Sequence, residues 1–129
     1  MQEIIIPLLI LQTAFMPFSA YDIECIEKAK KMIDTDISRH FSIFSVAESV
    51  GIGATKLKTG FRQMYGRGLF TYLREQRMHR AVTLLTDTNK TIKEISKITG
   101  FRYRSNFITS FSSFYGMPPG KYRKQHLEE

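Results

Sequence analysis

The sequence predicts an all-α protein of about seven helices, in which two copies of a two-helix unit are joined by one long central helix. Two observations support this fold class. An eighteen-residue stretch, 69–86, contains neither Gly nor Pro, as expected of a long helix. The segments before and after it resemble each other at an offset of about fifty residues. The long helix therefore separates two copies of one unit.

The central helix is predicted to span Leu69–Thr86. Gly66, Gly68 and Asn89 stand just outside it. At about 100° per residue, its apolar residues cover roughly half the circumference, which is wide enough to pack against something at both ends. These residues are Leu69, Phe70, Leu73, Met78, Ala81, Leu84 and Leu85. The helix is predicted to be a spacer.

In each copy a short helix ends at a Gly, and a second helix starts three or four residues later. Gly accepts the left-handed conformation that closes a helix. The offset between the copies is 49 before this turn and 50 after it, so the second copy has one extra residue in the turn. The matching segments are Val46–Gly51 with Ile95–Gly100, and Phe61 and Gly66 with Phe111 and Gly116. Two helices joined by a tight Gly-containing turn form the helix-turn-helix pattern, and the predicted fold class, with its flanking helices, is homeodomain-like.

Local signals give the boundaries. Ser42 is a plausible N-cap for the first copy, and Thr91 with Glu94 forms a capping box at the start of the second. The bipartite domain as a whole is predicted to cover 21–124, between an apolar N-terminal segment or linker remnant, 1–20, and a solvated tail, 125–129. Within the domain, an amphipathic helix runs from Tyr21 to about Thr35, and Pro119 opens a final short helix. Between them lie the first copy, 42–66, the linker helix, 69–86, and the second copy, 91–116.

The N-terminal stretch Ile4–Phe18 is mostly apolar, but Pro7 and Pro17 interrupt it and no Lys or Arg precedes it. It is shorter than the roughly 20 residues of a membrane span and lacks the basic start of a signal peptide. A short helix after Pro7 is the simplest expectation. Two roles stay open: the segment folds back on the domain, or it meets another chain and forms a homodimer through residues 4–18.

The net charge of +7 conceals an asymmetry. Residues 1–51 carry four Lys and Arg against seven Asp and Glu, whereas residues 52–124 carry fifteen against three. A basic excess concentrated around the two copies suggests a polyanionic partner. The alternative from charge alone is a solvated basic surface.

The sequence contains no pattern typical of catalysis or of cofactor binding. The single cysteine, Cys25, excludes a disulfide framework and is best explained as a small buried residue. His40, His79 and His126 match no metal-ligand spacing. Phosphate loops, nucleophile elbows and paired carboxylates are also missing from the pattern. We expect no enzyme activity, no cofactor and no metal.

Taken together, these motifs closely resemble the AraC/XylS family of bacterial transcription regulators over residues 22–124. The resemblance is specific because the Gly100-Phe101 turn, the closing Pro118-x-x-x-Tyr122-Arg123 and the spacing occur together. The residues that carry it include Val46–Gly51, Leu57–Arg62, Tyr72-Leu73, Arg77-Met78, Ala81, Leu84-Leu85, Ile92, Glu94-Ile95, Ser105–Phe107, Phe111, Phe114–Gly116. Within that family, the segment Lys56–Arg62 more particularly resembles the regulators of siderophore uptake.

The resemblance implies a DNA-binding domain of a bacterial cytoplasmic regulator acting at the nucleoid, either an activator or a repressor, with promoter DNA and RNA polymerase as partners. The second helix of each copy is expected to enter a major groove, with the two grooves about one helical turn, roughly 34 Å, apart. A sensing or dimerisation domain commonly precedes this one in the family. The alternative is a protein-interaction or dimerisation module with only nonspecific DNA affinity, using the N-terminal apolar segment.

Candidate DNA contacts lie on the exposed faces of the second helices and at the starts of the first ones. Base-reading candidates are Thr55, Lys56, Lys58, Thr59, Arg62, Arg104, Ser105, Asn106, Ile108 and Thr109. Phosphate candidates are Ser42, Lys90, Thr91, Lys93, Arg102 and Ser112. For each base-reading candidate, contact with phosphate or water alone is the alternative.

Five positions call for separate expectations. Family members often carry Arg where this chain has Thr59 and Thr109, so the operator sequence cannot be borrowed. Gly60 inside a reading helix suggests close packing. Tyr103 stands where a capping Ser or Asp is expected, which predicts a second reading helix that frays at its start. Arg77 projects into the apolar arc of the long helix, so a guanidinium bonded to backbone carbonyls is favoured over a DNA contact.

Overall fold

The computed structural model describes residues 18–127, and over that range it is all-helical, with seven α-helices and no strand. The predicted fold class is confirmed. The helices are α1 (Ala20–Thr35), α2 (Ile43–Val50), α3 (Ala54–Tyr65), α4 (Leu69–Asp87), α5 (Ile92–Ile98), α6 (Arg104–Tyr115) and α7 (Pro119–Leu127). The helix expected after Pro7 lies outside the described residues. Between residues 18 and 127 no helix is both long and apolar enough to cross a membrane.

The described chain divides into two compact units, each containing one helix-turn-helix copy. The first unit consists of α1 and the range Phe41–Tyr72, which contains α2, α3 and the first turn of α4. The second consists of Asp36–His40 and the chain from Leu73 onward, which includes the rest of α4 and α5 to α7. The central helix thus contributes residues to both units.

The core of the first unit forms where α1 and α4 close over the α2–α3 pair. Ile26, Val46, Leu57 and Phe61 are fully buried. From α4, Tyr72 is 5% exposed, and its ring centroid lies 5.7 Å from that of Phe61. Each such side chain stabilises the folded state by about 1.5–3 kcal/mol through removal from water. A two-helix copy therefore depends on its flanking helices for a closed core.

The core of the second unit is a line of aromatic rings packed on α4. The rings of Phe101, Phe107, Phe111 and Tyr122 follow one another at centroid distances of 5.5, 5.9 and 5.5 Å. Such edge-on and tilted pairs add about 0.5–1.5 kcal/mol each beyond burial. The α4 side chains that meet this cluster are Met78, Ala81, Leu84 and Leu85.

Helix α7 ends later than the sequence indicated. Residues 125–127, predicted as part of a tail, form its last turn. The ring of His126 stacks on Tyr122 at 4.0 Å, and its Nδ1 lies 2.8 Å from the Tyr122 carbonyl oxygen. Tyr122 is held in the aromatic core, so it fixes the turn that follows. This contact between i and i+4 explains the longer helix.

The first helix of each copy begins with a capping box. The Thr91 hydroxyl accepts the Glu94 N–H, and the Glu94 carboxylate accepts the Thr91 N–H, as predicted. Ser42 is the N-cap of α2, and Ser45 supplies the reciprocal bond, which was not predicted. The N–H of Thr91 lowers the pKa of Glu94. This carboxylate therefore adds stability above its ordinary pKa of about 4, and that stability is lost as the pH falls through its lowered value.

The first helix of each copy ends at a left-handed glycine, as predicted. Gly51 has φ of 83° and Gly100 has φ of 93°. In the second copy, the Gly100 N–H donates to the Lys97 carbonyl and the Phe101 N–H to the Ser96 carbonyl, at 3.0 and 2.9 Å. This pair of bonds is the Schellman motif, which satisfies carbonyls at a helix end.

The Arg77 guanidinium is structural, as the sequence suggested. Its Nε donates to the Ile37 carbonyl at 2.7 Å, and its Nη2 donates to the Arg39 carbonyl at 3.1 Å. The guanidinium also lies over the Phe101 ring, at 5.7 Å from the centroid. Burial lowers the pKa of Arg77 from its ordinary value. Arg77 thereby holds the Asp36–His40 segment in the second unit.

We predict that Gly100→Ala destabilises the second unit more than Gly116→Ala. Both glycines are left-handed, so each substitution introduces backbone strain of roughly 1–2 kcal/mol. A Cβ at Gly100 would also lie 2.9 Å from the Ser38 Cα and 2.8 Å from the Arg77 Nη2, whereas nothing lies within 4 Å of one at Gly116. Overlap should add about 1–3 kcal/mol, measured by urea unfolding. Equal losses for the two variants would contradict the close packing at the turn.

Candidate nucleic-acid interface

The second helix of each copy starts where the sequence predicted, at Ala54 in α3 and at Arg104 in α6. On α3 the predicted base-reading side chains face solvent, except Thr59, which is half-buried. The opposite face carries Leu57 and Phe61, which are fully buried. One face of α3 is therefore committed to the core and the other is free for a partner.

The same division holds for α6. Arg104, Ser105, Asn106 and Thr109 are exposed, while Ile108 is half-buried and packs against the aromatic core. The Thr109 hydroxyl donates to the Ser105 carbonyl at 3.0 Å, so its oxygen is left to act as an acceptor. Ser112, a phosphate candidate, is half-buried and donates to the Ile108 carbonyl at 2.7 Å.

Neither second helix has a side-chain N-cap. Tyr103 occupies the N-cap position of α6 with no capping bond from its side chain, as expected, and Gly53 occupies that of α3. The first turn of α6 is nevertheless closed, because Asn106 N–H and Phe107 N–H both donate to the Tyr103 carbonyl, at 3.1 and 3.3 Å. Fraying at this end stays a prediction.

At the starts of the first helices, where backbone N–H groups are the expected phosphate donors, the hydroxyls of the two N-cap residues are already bonded. The Ser42 hydroxyl accepts the Ser45 N–H at 3.0 Å, and the Thr91 hydroxyl bonds to both the backbone and the carboxylate of Glu94. The Glu94 carboxylate also places negative charge beside this helix start. A phosphate there would have to use the backbone N–H groups that follow the cap, so direct side-chain contact from these two residues is disfavoured.

Positive charge in the second unit surrounds a hollow of about 360 Å³ between α5 and the start of α6. Its lining residues are Lys93, Ser96, Lys97, Arg102, Tyr103 and Arg104. Arg102 lies over the Tyr103 ring at 5.9 Å, which orients its guanidinium beside the hollow. The sequence had indicated Lys93, Arg102 and Arg104 but not Lys97. Its spacing of four residues from Lys93, which places both on one face of a helix, is the signal that could have identified it.

The first copy does not repeat the cations that line this hollow. At the repeat offsets of 49 and 50, Lys93, Lys97 and Arg104 correspond to Phe44, Glu48 and Ala54. Phe44 is 74% exposed. The first copy instead has Lys58 and Arg62 on the exposed face of its second helix, where the second copy has Ile108 and Ser112. The copies therefore share a backbone plan but place their positive charge differently.

Lys56 differs from the other base-reading candidates because it already has a carboxylate partner. Its Nζ lies 3.2 Å from Oδ2 of Asp22, a residue of α1 that is 6% exposed. Lys58, two residues away, instead borders a largely apolar hollow of about 320 Å³ with Ile43, Leu69 and Phe70. The two lysines therefore have different surroundings, although the sequence made both of them base-reading candidates.

A helix-turn-helix domain family matches residues 46–125 of the chain. The melibiose operon regulatory protein of Escherichia coli K12 is 34% identical over 83 residues, which cover 64% of this chain and 28% of that protein. A putative AraC-like transcription regulator of Streptomyces lividans is 29% identical over 89 residues, covering 69% of this chain and 29% of that protein. The chain belongs to the AraC/XylS family. Its matched part is the DNA-binding helix-turn-helix domain of a family of transcription regulators.

A solved structure of the same fold is the DNA-binding domain of AdpA, a global transcriptional factor, in complex with a target DNA. Its TM-score is 0.73 at 20% identity, over 78% of this AraC/XylS chain and 91% of that one. The chain spans less than a third of the length of the melibiose and Streptomyces regulators. The individual DNA-contacting residues and the siderophore resemblance stay predictions.

We predict that the double variant Lys93→Gln, Lys97→Gln weakens binding of this AraC/XylS domain to any duplex, selected or random. Each lost phosphate contact should reduce the slope of log affinity against log salt by about 0.9, because fewer counterions are released. The measurement is a salt titration of binding by fluorescence anisotropy.

The matched control is Lys28→Gln, Lys31→Gln, which removes the same charge from exposed positions on α1. We expect its salt slope to stay near that of the unchanged protein. A slope reduced equally in both double variants would show that net charge alone, and not the hollow, governs affinity.

Proposed function

We propose that this domain regulates transcription by binding promoter DNA sequence-specifically, with α3 and α6 each placed in a major groove. The observation that carries the proposal is the duplicated division of faces. In both helices one face is buried around a fully enclosed Phe, Phe61 or Phe107, and the other presents polar side chains to solvent. The DNA complex of AdpA, a protein of the same fold, supports it. Two such readers on one face of a duplex would act about one helical turn apart.

The two reading helices carry different base chemistry. Lys58 and Arg62 on α3 are long cations that suit the O6 and N7 acceptors of guanine. On α6, Asn106 suits adenine, and the methyl groups of Ile108 and Thr109 suit the thymine methyl. We therefore assign a guanine-containing half-site to the first copy and an A·T-containing half-site to the second.

Arg104 is assigned to the DNA backbone, although the sequence had suggested base reading. It is the first residue of α6 and lines the hollow shared with Lys93, Lys97 and Arg102. A cluster of four cations matches closely spaced phosphates, which fix register without reading sequence. The second copy would then be anchored by this cluster while its uncharged side chains read bases.

Contact with RNA polymerase, which an activator would make, also belongs to this proposal. One observation favours the alternative function, a protein-interaction module: the apolar side chains of Phe44 and Phe70 in the first unit are 74% and 48% exposed. If the domain binds promoter and random DNA with equal affinity at near-physiological salt, the sequence-specific proposal is wrong and the alternative is favoured. The possible homodimer through residues 4–18 lies almost wholly outside the described residues.

We predict that Lys58→Ala lowers affinity for a duplex selected from a random pool by about 1–3 kcal/mol and affinity for random DNA by much less. Lys58 is exposed, so the melting temperature should change little. The matched control is Lys90→Ala, which removes an exposed phosphate candidate and should weaken binding to both duplexes alike. Equal losses on both duplexes for Lys58→Ala would remove it from the base-reading set.

A further inference from the structure

The chain entering α1 touches one flank of α3 at two points. At one, the Asp22 carboxylate meets Lys56 Nζ at 3.2 Å. At the other, a Cβ on Gly60 would lie 3.1 Å from Cε1 of the Phe18 ring and 2.3 Å from Cδ1 of Ile26. Gly60 is thus closely packed, as the sequence suggested. Both pairs of contact residues, 18 with 22 and 56 with 60, are spaced by four.

The Asp22 carboxylate is fixed by its own helix start before it reaches α3. It accepts the Ser19 N–H at 3.1 Å, and the Ser19 hydroxyl accepts the Asp22 N–H at 3.1 Å, which makes a capping box at α1. The Ser19 N–H, and after it Lys56, lower the pKa of Asp22. The group is therefore a charged, oriented acceptor, and its partner Lys56 is held toward α1.

We propose that Asp22 is a positioning residue for the first reading helix: it holds Lys56 against the protein when DNA is bound, while Phe18 seats against Gly60. This inference rests on the proposed function. If Lys56 moved to the DNA, the Asp22 carboxylate, which is 6% exposed, would keep its bond from the Ser19 N–H but lose its cation, which is unfavourable. Lys58 and Arg62 are then the cations that α3 offers to the groove.

The consequence is that the orientation of α3 is set from two sides. Its buried face is packed in the core through Leu57 and Phe61, and its flank is held by the segment 18–22. The chain before residue 18 is joined directly to this flank support. A change in the chain before residue 18 that shifts residues 18–22 would therefore alter base reading by the first copy and leave the second copy's DNA contacts intact.

The test compares Asp22→Asn with Glu24→Gln. Glu24 lies on the same helix and pairs with Lys28 at 3.5 Å, but the pair is exposed, so its removal is the matched control. Affinity is measured for three duplexes: the selected duplex, one with the α3 half-site scrambled, and one with the α6 half-site scrambled. Melting temperature is recorded for each variant.

Asp22→Asn should weaken binding to the selected duplex about five- to tenfold, a loss at the lower end of that expected when one base contact is removed. The loss should persist when the α6 half-site is scrambled and vanish when the α3 half-site is scrambled. Glu24→Gln should stay within about twofold of the unchanged protein on all three duplexes. A loss that is the same on both scrambled duplexes would indicate a structural role only and overturn the proposal.

A second variant keeps the test decisive if Asp22→Asn folds poorly. Lys56→Gln removes the same ion pair from its exposed side and should show the same loss confined to the α3 half-site; combining both substitutions should add little further loss. If Lys56 instead contacts DNA, Lys56→Gln weakens binding while Asp22→Asn strengthens it, and the proposal is wrong. Failure of the unchanged protein to distinguish the three duplexes would refute the proposed function itself.

Discussion

The structure depends on one constraint: two short helices do not have enough apolar surface to close a core by themselves. Helices α2 and α3 span eight and twelve residues, and α5 and α6 span seven and twelve. Each pair is completed by part of α4, through Tyr72 in the first unit and through Met78 and Leu85 in the second. Because the cores take one face of α3 and of α6, the opposite faces remain available to DNA.

Features set by neighbouring residues could be predicted from the sequence. The capping box at Thr91, the left-handed Gly51 and Gly100 and the starts of both reading helices depend on a few adjacent positions, and the structure confirms them. The position of Arg77 within an apolar arc was also enough to predict a structural guanidinium. Local stereochemistry and helical periodicity are encoded in short windows of sequence.

Features set by contacts between distant residues could not be predicted. The Lys56–Asp22 pair joins residues 34 positions apart, and no local pattern distinguishes Lys56 from Lys58 on the same helix. The cationic hollow likewise combines α5 with the turn before α6, so the places of Lys97 and Tyr103 in its lining could not be predicted from either element alone. The repeat gave no indication of these differences. It is defined by matched glycines and core residues, whereas the two copies differ most at their surfaces.

We propose that both copies read DNA and that they read different bases. The most direct measurement is selection of duplexes from a random pool, followed by methylation and missing-base interference on the selected site. We expect two blocks of base contacts about one helical turn apart, one containing guanines and the other A·T pairs. A single block, or two blocks of the same base composition, would contradict it.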